Sequence, residues 1–321
     1  MLTALRDIPA VAVLIPCYHE ETAITKVVKD FQVALPDATI YVYDNNSRDR
    51  TVELARAAGA RVYSETLQGK GHVVRRMFSD IEADIYVLID GDDTYEAASA
   101  PAMVRKLLEE RLDMLNGTRV TEIVAAYRRG HQLGNTVLSG LVRRIFGSRI
   151  KDMLSGYRVF SRRFVKSFPA LSSGFEIETE LTIHALELSM PLGEIDTPYK
   201  DRPAGSASKL RTYSDGLRIL RTIVLLVKDE RPLIFFATAG CVLFILGFVL
   251  SIPIFIEFHR THLVPRFPTA ILSLGLVLMS FLSLVCGLVL DSVARGRKEI
   301  KRMAYLSIPI WQGDGKTLHP R

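Results

Sequence analysis

The stretch 85–94, Ile-Tyr-Val-Leu-Ile-Asp-Gly-Asp-Asp-Thr, ends in three carboxylates, Asp90, Asp92 and Asp93, with Gly91 between the first two. Two aspartates one residue apart can present hard oxygens to a divalent cation such as Mg²⁺ or Mn²⁺, and the cation can hold a diphosphate. The apolar run before them, with β-branched Ile85, Val87 and Ile89, reads as a buried strand of a parallel sheet. Its acids then sit at the strand's carboxyl end, the edge at which open α/β sheets bind ligands. A strand followed by a merely acidic turn is the bland alternative.

Other chemistry-bearing residues recur at what should be the same edge. Cys17, Tyr18, His19 and Glu20 follow an expected strand over 10–16 that ends in Pro16; Asp44 closes a strand over 39–44, with Ser47, Asp49 and Thr51 behind it. Gln68, Gly69, Lys70 and Gly71 follow a short strand over 61–64 and open a helix over 72–80. Backbone N–H groups and one ammonium there can meet an anion, although the spacing is not that of a Walker loop and a plain tight turn fits equally. A strand over 114–120 carries Asn116, Gly117, Thr118 and Arg119, and Asp152, Ser155, Gly156 and Arg158 form a later cluster. The polar segment 198–210 brings Arg202, Ser208 and Lys209, which can close on a diphosphate or serve as an exposed linker. Glu176, Glu178 and Glu180 open a helix over 175–190, where negative charge suits the helix dipole and needs no further role.

The elements that must position these residues alternate: strand, loop, helix, with helices expected over 22–35, 50–58, 72–80 and 101–111. Asp49 is the expected N-cap of the second helix and Gly59 its stop. This order predicts a doubly wound, mostly parallel sheet. No Gly-x-Gly-x-x-Gly follows the first strand, which sets aside a dinucleotide-dependent oxidoreductase.

Residues 232–256 and 267–290 carry no charged side chain, and each is long enough to cross a hydrocarbon core of about 30 Å as a helix. The short segment between them makes a transmembrane hairpin with both flanks on one side. Arg218, Arg221, Lys228 and Arg231 precede the first span, and Arg295, Arg297, Lys298, Lys301 and Arg302 follow the second, marking that side as cytosolic. Residues 213–231 read as an interfacial amphipathic helix. The segment 127–146, with Arg128 and Arg129 among apolar residues, is either a membrane-surface helix or an ordinary exposed one. Residues 1–9 lack an apolar core, so no signal peptide is expected. Three cysteines, two of them in the spans, do not form a disulfide framework. The net charge of +6 and pI near 9.2 point to phosphates and anionic lipid heads, because no nucleic-acid-binding signature accompanies them.

Taken in order, Pro16, Tyr18 and Glu20; Asp44, Ser47, Asp49 and Thr51; Lys70 and Gly71; Asp90 to Asp92; Asp152, Ser155, Gly156 and Arg158; and Arg202, Ser208 and Lys209 resemble a family 2 glycosyltransferase of the polyprenyl-phosphate type. The likeness is to dolichol-phosphate mannose synthases and, with the hairpin, to bactoprenol-phosphate glucosyltransferases. It implies a GT-A-like domain over 1–212, the interfacial helix over 213–231, the hairpin over 232–291 and a basic, loosely ordered cytosolic tail over 292–321. By the same resemblance Pro16, Tyr18, Glu20, Asp44 and Lys70 serve the nucleotide. Asp90 and Gly91 lie against ribose and diphosphate, Asp90 and Asp92 serve the metal, and Asp152 sits where a catalytic base is offered. Arg119, Arg158, Arg202, Ser208 and Lys209 are the candidates for diphosphate or acceptor phosphate. Thr94 stands where related mannose synthases have a glutamine, so the resemblance assigns no second metal ligand at that position. A phosphate monoester with a second pKa near 6 is already mostly dianionic at neutral pH, so the alternative role for Asp152 is to orient Arg158 or the acceptor.

The implied reaction is inverting transfer from a nucleotide-sugar, UDP-glucose or UDP-N-acetylglucosamine by preference, to a polyprenyl phosphate in the cytoplasmic membrane. GDP-mannose remains an alternative donor. A processive polysaccharide synthase is disfavoured because Trp311, the one tryptophan, has no Gln-x-x-Arg-Trp motif before it. A membrane-anchored nucleotide-binding scaffold is the non-enzyme alternative. Two-span proteins often gain stability by self-association, which leaves a homo-oligomer open.

Overall fold

The computed structural model describes residues 8–120, 140, 151–170, 174, 177–200, 225, 228–229 and 231–311. The segment 127–146 (but for residue 140), most of 213–231, and Arg202, Ser208 and Lys209 lie outside them.

The chain divides into two units, the first made of Met1–Gly216 with Lys301–Arg321 and the second of Leu217–Ile300. In the first, β1 (Val11–Cys17), α1 (Ile24–Ala34), β2 (Thr39–Asp44), α2 (Thr51–Ala57), β3 (Arg61–Ser64), α3 (Lys70–Asp80), β4 (Ile85–Leu88), α4 (Ala100–Glu109) and β5 (Met114–Val120) follow the expected alternation. After them come β6 (Arg158–Ser161), α5 (Arg162–Ser167), α6 (Ile177–Glu187) and β7 (Leu192–Pro198). The sheet order is β3-β2-β1-β4-β6-β5-β7. β6 pairs antiparallel with both β4 and β5, while the other pairings are parallel. This is a doubly wound, mostly parallel GT-A-like sheet.

Helices on both faces explain why the central strands read as unbroken apolar runs. In β1, Val13, Ile15 and Cys17 face the layer holding Phe31 of α1 and Met103 of α4, whereas Ala12 and Leu14 face Val74 and Met77 of α3 and Leu181 of α6. All four residues of β4 are buried. Alternation thus sends successive side chains into two cores, and the carboxyl edge is left for polar loops.

The second unit contains α7 (Pro232–Thr261) and nearly all the apolar part of α8 (Phe267–Leu306), two helices long and apolar enough to cross a membrane, with mean hydropathies of 2.7 and 2.4 in their most apolar windows. They run antiparallel with small residues at the seam. A side chain at Gly240 would meet Ser280 O at 3.0 Å, and Ser273 Oγ donates to Gly247 O at 2.7 Å. Close backbone approach of this kind is how apolar helices associate without a solvent driving force.

The residues after Asp291, expected to be loosely ordered, continue α8 as a helix to Leu306. Its last turns, which count with the first unit, supply Lys301 to Glu187 at 2.8 Å and the Tyr305 hydroxyl to Asp113 Oδ2 at 2.7 Å. Asp113 is wholly buried and also accepts from Arg163 Nη2 at 2.7 Å and Ser161 Oγ at 2.6 Å; the Arg163 guanidinium lies 4.8 Å from the centre of the Tyr305 ring. Tyr305→Phe removes one hydrogen bond to a buried charge and should destabilise the folded chain by about 1.5–3 kcal/mol. Thermal or urea unfolding in detergent checks it; an unchanged midpoint means that the helix end does not fasten there.

Candidate active site

The loops at the carboxyl edge are tied to one another in a chain of direct bonds. Between the β1 and β2 loops, His19 N donates to Ser47 Oγ at 2.8 Å and Glu20 N to Thr51 Oγ1 at 2.9 Å. Asn45, which follows Asp44, reaches the β3 loop. Its Oδ1 accepts Gly69 N at 2.7 Å, and its Nδ2 donates to Leu67 O at 2.8 Å. Lys70, at the start of α3, pairs with Asp90 beyond β4. Asp93 accepts Lys26 of α1 at 2.7 Å. The Tyr95 hydroxyl then accepts Gly156 N at 2.8 Å.

Two glycines are fixed by close approach. A Cβ on Gly91 would stand 2.7 Å from Cys17 Sγ, and one on Gly156 would collide with the Asp90 carboxylate. The first packs the β4 loop on the end of β1, and the second lays the 152–156 loop on Asp90. His19, Asn46 and Asp93 hold φ values of 55°, 67° and 57°. Positive φ in residues other than glycine costs free energy, and these three lie in the loops after β1, β2 and β4.

Asp92 is 4% exposed, and its Oδ1 accepts Thr94 Oγ1 at 2.6 Å and Thr94 N at 3.3 Å. Thr94, the departure from the mannose-synthase pattern, therefore orients the aspartate before it. Asp44 is buried; its Oδ2 accepts Ser47 N at 3.1 Å, while its Oδ1 has no hydrogen-bond partner among the described residues. Asn116 Oδ1 and Thr118 Oγ1 are in the same position. Such buried acceptors are costly unless a ligand or water meets them. Glu20 is buried, Tyr18 is half-buried with its ring 4.2 Å from that of His19, and Pro16 is half-buried at the end of β1.

Asp152 grips Arg119 with both oxygens, Oδ2 to Nε at 2.7 Å and Oδ1 to Nη2 at 2.8 Å. Burial pushes this carboxyl up, but the Arg119 pair and the N–H groups of Arg119 and Leu154 outweigh it and hold it below the usual aspartate value. The Arg119 guanidinium also lies 5.5 Å from the centre of the Tyr199 ring. Tyr199 N donates to Val120 O at 3.0 Å and Lys200 N to Thr94 O at 2.8 Å. Lys200, the last described residue before Arg202, thus lies beside Thr94, and Tyr199 beside Arg119.

Arg158 and Lys70 make their bonds to other side chains and carbonyls of the fold. Arg158 is fully buried and donates to Ser155 O at 2.9 Å, Met153 O at 2.6 Å and Thr182 Oγ1 at 2.8 Å. It shapes the 152–156 loop from inside, and the acid that faces Arg119 makes no bond to it. The Lys70 ammonium lies between Asp90 and Glu178, the latter at 2.5 Å. Glu178, read from the sequence as dipole compensation, turns inward and is only 6% exposed. The neighbouring Glu176 and Glu180 carry the same dipole signal, so spacing alone could not single it out. Asn45 and Tyr95 were likewise unassigned, since nothing in their types distinguishes a loop-bracing side chain from an ordinary turn or core residue.

Among the described residues no three His, Cys, Asp or Glu side chains gather as a ready cage for a metal. Asp90 and Asp92 fit a different arrangement, in which Mg²⁺ or Mn²⁺ keeps one or two carboxylates and completes its shell with phosphate oxygens and water.

Residues 12–168 match the model of glycosyl transferase family 2. Among relatives that span two thirds or more of this chain, glycosyltransferase AglJ of Haloferax volcanii is 31% identical over 300 residues, 92% of this chain and 98% of its own. Dolichyl-phosphate hexose transferase of the same organism is 29% identical over 220 residues, 68% of this chain and 95% of its own. Of solved structures, glucosyl-3-phosphoglycerate synthase from Mycobacterium tuberculosis, in complex with Mn²⁺, uridine diphosphate and phosphoglyceric acid, superposes with a TM-score of 0.57 at 22% identity over 68% of this chain and 78% of that one. At that identity the likeness shows the fold. Sheet, edge and relatives together define a sugar-transferring enzyme. The chain belongs to glycosyl transferase family 2.

Proposed function

We propose that this enzyme transfers a sugar, with inversion at the anomeric carbon, from a nucleotide-sugar to a polyprenyl phosphate at the cytosolic face of a membrane. The observation that carries the reading is that one chain joins a family 2 domain, its acids tied along one sheet edge, to two helices each long enough to cross a bilayer. A polyprenyl tail cannot leave the bilayer, so an enzyme acting on its phosphate must work at the interface. The similarity to a dolichyl-phosphate hexose transferase supports the same acceptor class.

In this reading Asp44 accepts from the base, Pro16, Tyr18 and Glu20 surround the nucleoside, and Gly91 lets ribose and diphosphate approach the backbone. Asp92, with Asp90, holds Mg²⁺ or Mn²⁺, whose charge offsets that building on the departing diphosphate. Arg119, held by Asp152, faces the acceptor phosphate, and Arg202, Ser208 and Lys209 close over the diphosphate. The acceptor phosphate is mostly dianionic at neutral pH and attacks without first losing a proton. The Lys and Arg flanking both spans support a cytosolic catalytic unit.

The test incubates membranes containing the protein with radiolabelled nucleotide-sugars and a polyprenyl phosphate, with Mn²⁺ or with EDTA. Label from UDP-glucose or UDP-N-acetylglucosamine should enter the lipid phase and stay in water when EDTA is present. Lipid labelling from GDP-mannose alone would replace the donor and keep the reaction; product confined to water would sink the acceptor.

A further inference from the structure

α6 reaches the carboxyl edge twice. In its first turn Glu178 Oε1 accepts Lys70 Nζ at 2.5 Å, and Lys70 passes on to Asp90. One turn later Thr182 Oγ1 accepts Arg158 Nη1 at 2.8 Å, and Arg158 binds the carbonyls of Met153 and Ser155. The second reach fixes the loop whose Gly156 presses on Asp90. Both reaches therefore end at one carboxylate.

The charges along the first reach are unequal in setting. The Glu178 side chain is 8% exposed and that of Lys70 9%, while that of Asp90 is 30% exposed. Glu178 Oε2 has no hydrogen-bond partner among the described residues; Lys70 is its ion-pair partner, and the buried Arg158 guanidinium also attracts it. A lysine facing Asp90 alone would cancel its charge. Drawn also toward Glu178 from within, the ammonium leaves the three groups with one net negative charge, expressed where solvent and ligand reach.

We infer that Glu178 is a positioning residue that leaves the Asp90 carboxylate available to the cation of a metal-nucleotide by sharing Lys70 from the buried side. The inference rests on the metal-nucleotide reading of this edge. Glu178→Gln keeps the size and an acceptor for Lys70 but removes the charge, so Lys70 acts on Asp90 undivided. The affinity for Mn²⁺ in the presence of UDP should then fall about tenfold, within the range for groups that orient a metal ligand. UDP binding without metal should not weaken. The paired variant Lys70→Met with Glu178→Gln removes both charges at once and should restore Mn²⁺ affinity to at least the original level.

Free Mn²⁺ is followed by electron paramagnetic resonance on the purified full-length chain in detergent, with UDP and, in parallel, GDP; circular dichroism reports folding. A residue that only supports the fold predicts the opposite order, the paired variant being worse than Glu178→Gln. Mn²⁺ binding by the unmodified chain that is unchanged in Glu178→Gln overturns the inference alone. Absence of Mn²⁺ binding by the unmodified chain with either nucleotide overturns the metal-nucleotide reading and the inference with it.

Discussion

Asp92→Asn should lower sugar transfer on the order of 10³-fold, the scale seen when a group that offsets developing charge is lost. The same variant should lose Mn²⁺-dependent binding of the nucleotide, measured by calorimetry with UDP or GDP. Asp92 is 4% exposed although it lies four residues past the end of a wholly buried strand, and its loop neighbour Asp93 is in a positive-φ conformation. Thr94 supplies two hydrogen bonds to Oδ1 and so orients the carboxylate. In the proposed reading the oriented acid gives a hard oxygen to the divalent cation. Asparagine keeps the shape and the bonds from Thr94 and removes only the charge, so the variant should fold normally. Thr94→Val removes the 2.6 Å bond and should weaken metal affinity about tenfold, as outer-shell changes do. Transfer by Asp92→Asn at the original rate, with EDTA still inhibitory, would show that the metal sits elsewhere.

What was legible in the chain follows from how local each signal is. β1, β2 and β4 announce themselves as apolar runs because both of their faces are covered, and Asp44 and Asp90 sit at their ends by chain continuity alone. β6 and β7 were not legible. The four residues of β6, Arg-Val-Phe-Ser, begin with a charged side chain, and its antiparallel place between β4 and β5 depends on partners 40 and more residues away in the chain. β7, Leu-Gly-Glu-Ile-Asp-Thr-Pro, carries two acids and is mostly half-buried, so no apolar run marks it. The helical stretch after Asp291 was hidden for the same reason. Its charge looks like a tail until Tyr305 is seen to meet Asp113, nearly two hundred residues earlier.

The site divides along the same line. Residue types told which groups could do chemistry, while only the fold tells what each one faces. Lys70 and Arg158 are cations in glycine- and hydroxyl-containing segments, and from sequence each fits a phosphate. Arg158 turns inward, its donors taken by Thr182 and by carbonyls of the 152–156 loop, whereas Lys70 bridges Glu178 of α6 and Asp90 at the edge. Arg119 is the opposite case: an arginine at a strand end with no motif of its own, brought to Asp152 by β5.

Asp152→Asn should slow transfer on the order of 10²-fold, the upper part of the range for residues that orient a ligand-binding group, without changing the shape of the pH profile. Asp152 is held below the ordinary aspartate value by its two-pronged bond to Arg119 and by two backbone N–H groups, against the upward push of burial. A carboxylate so stabilised is a poor proton acceptor. The rate should instead rise with pH through about 6 as the acceptor phosphate becomes dianionic, and this limb should persist in the variant. Because the folded carboxyl lies below its unfolded value of about 3.9, its pairing stabilises the fold above that value. The contribution is lost as pH falls through the folded one, so the two proteins should differ in melting temperature at neutral pH and converge in strong acid. If Asp152 acts through Arg119, Arg119→Gln should cost a similar factor and the double variant little more than either, since residues that work as a unit are not additive. Multiplying losses, together with an acid limb that vanishes with Asp152, would instead make it the base.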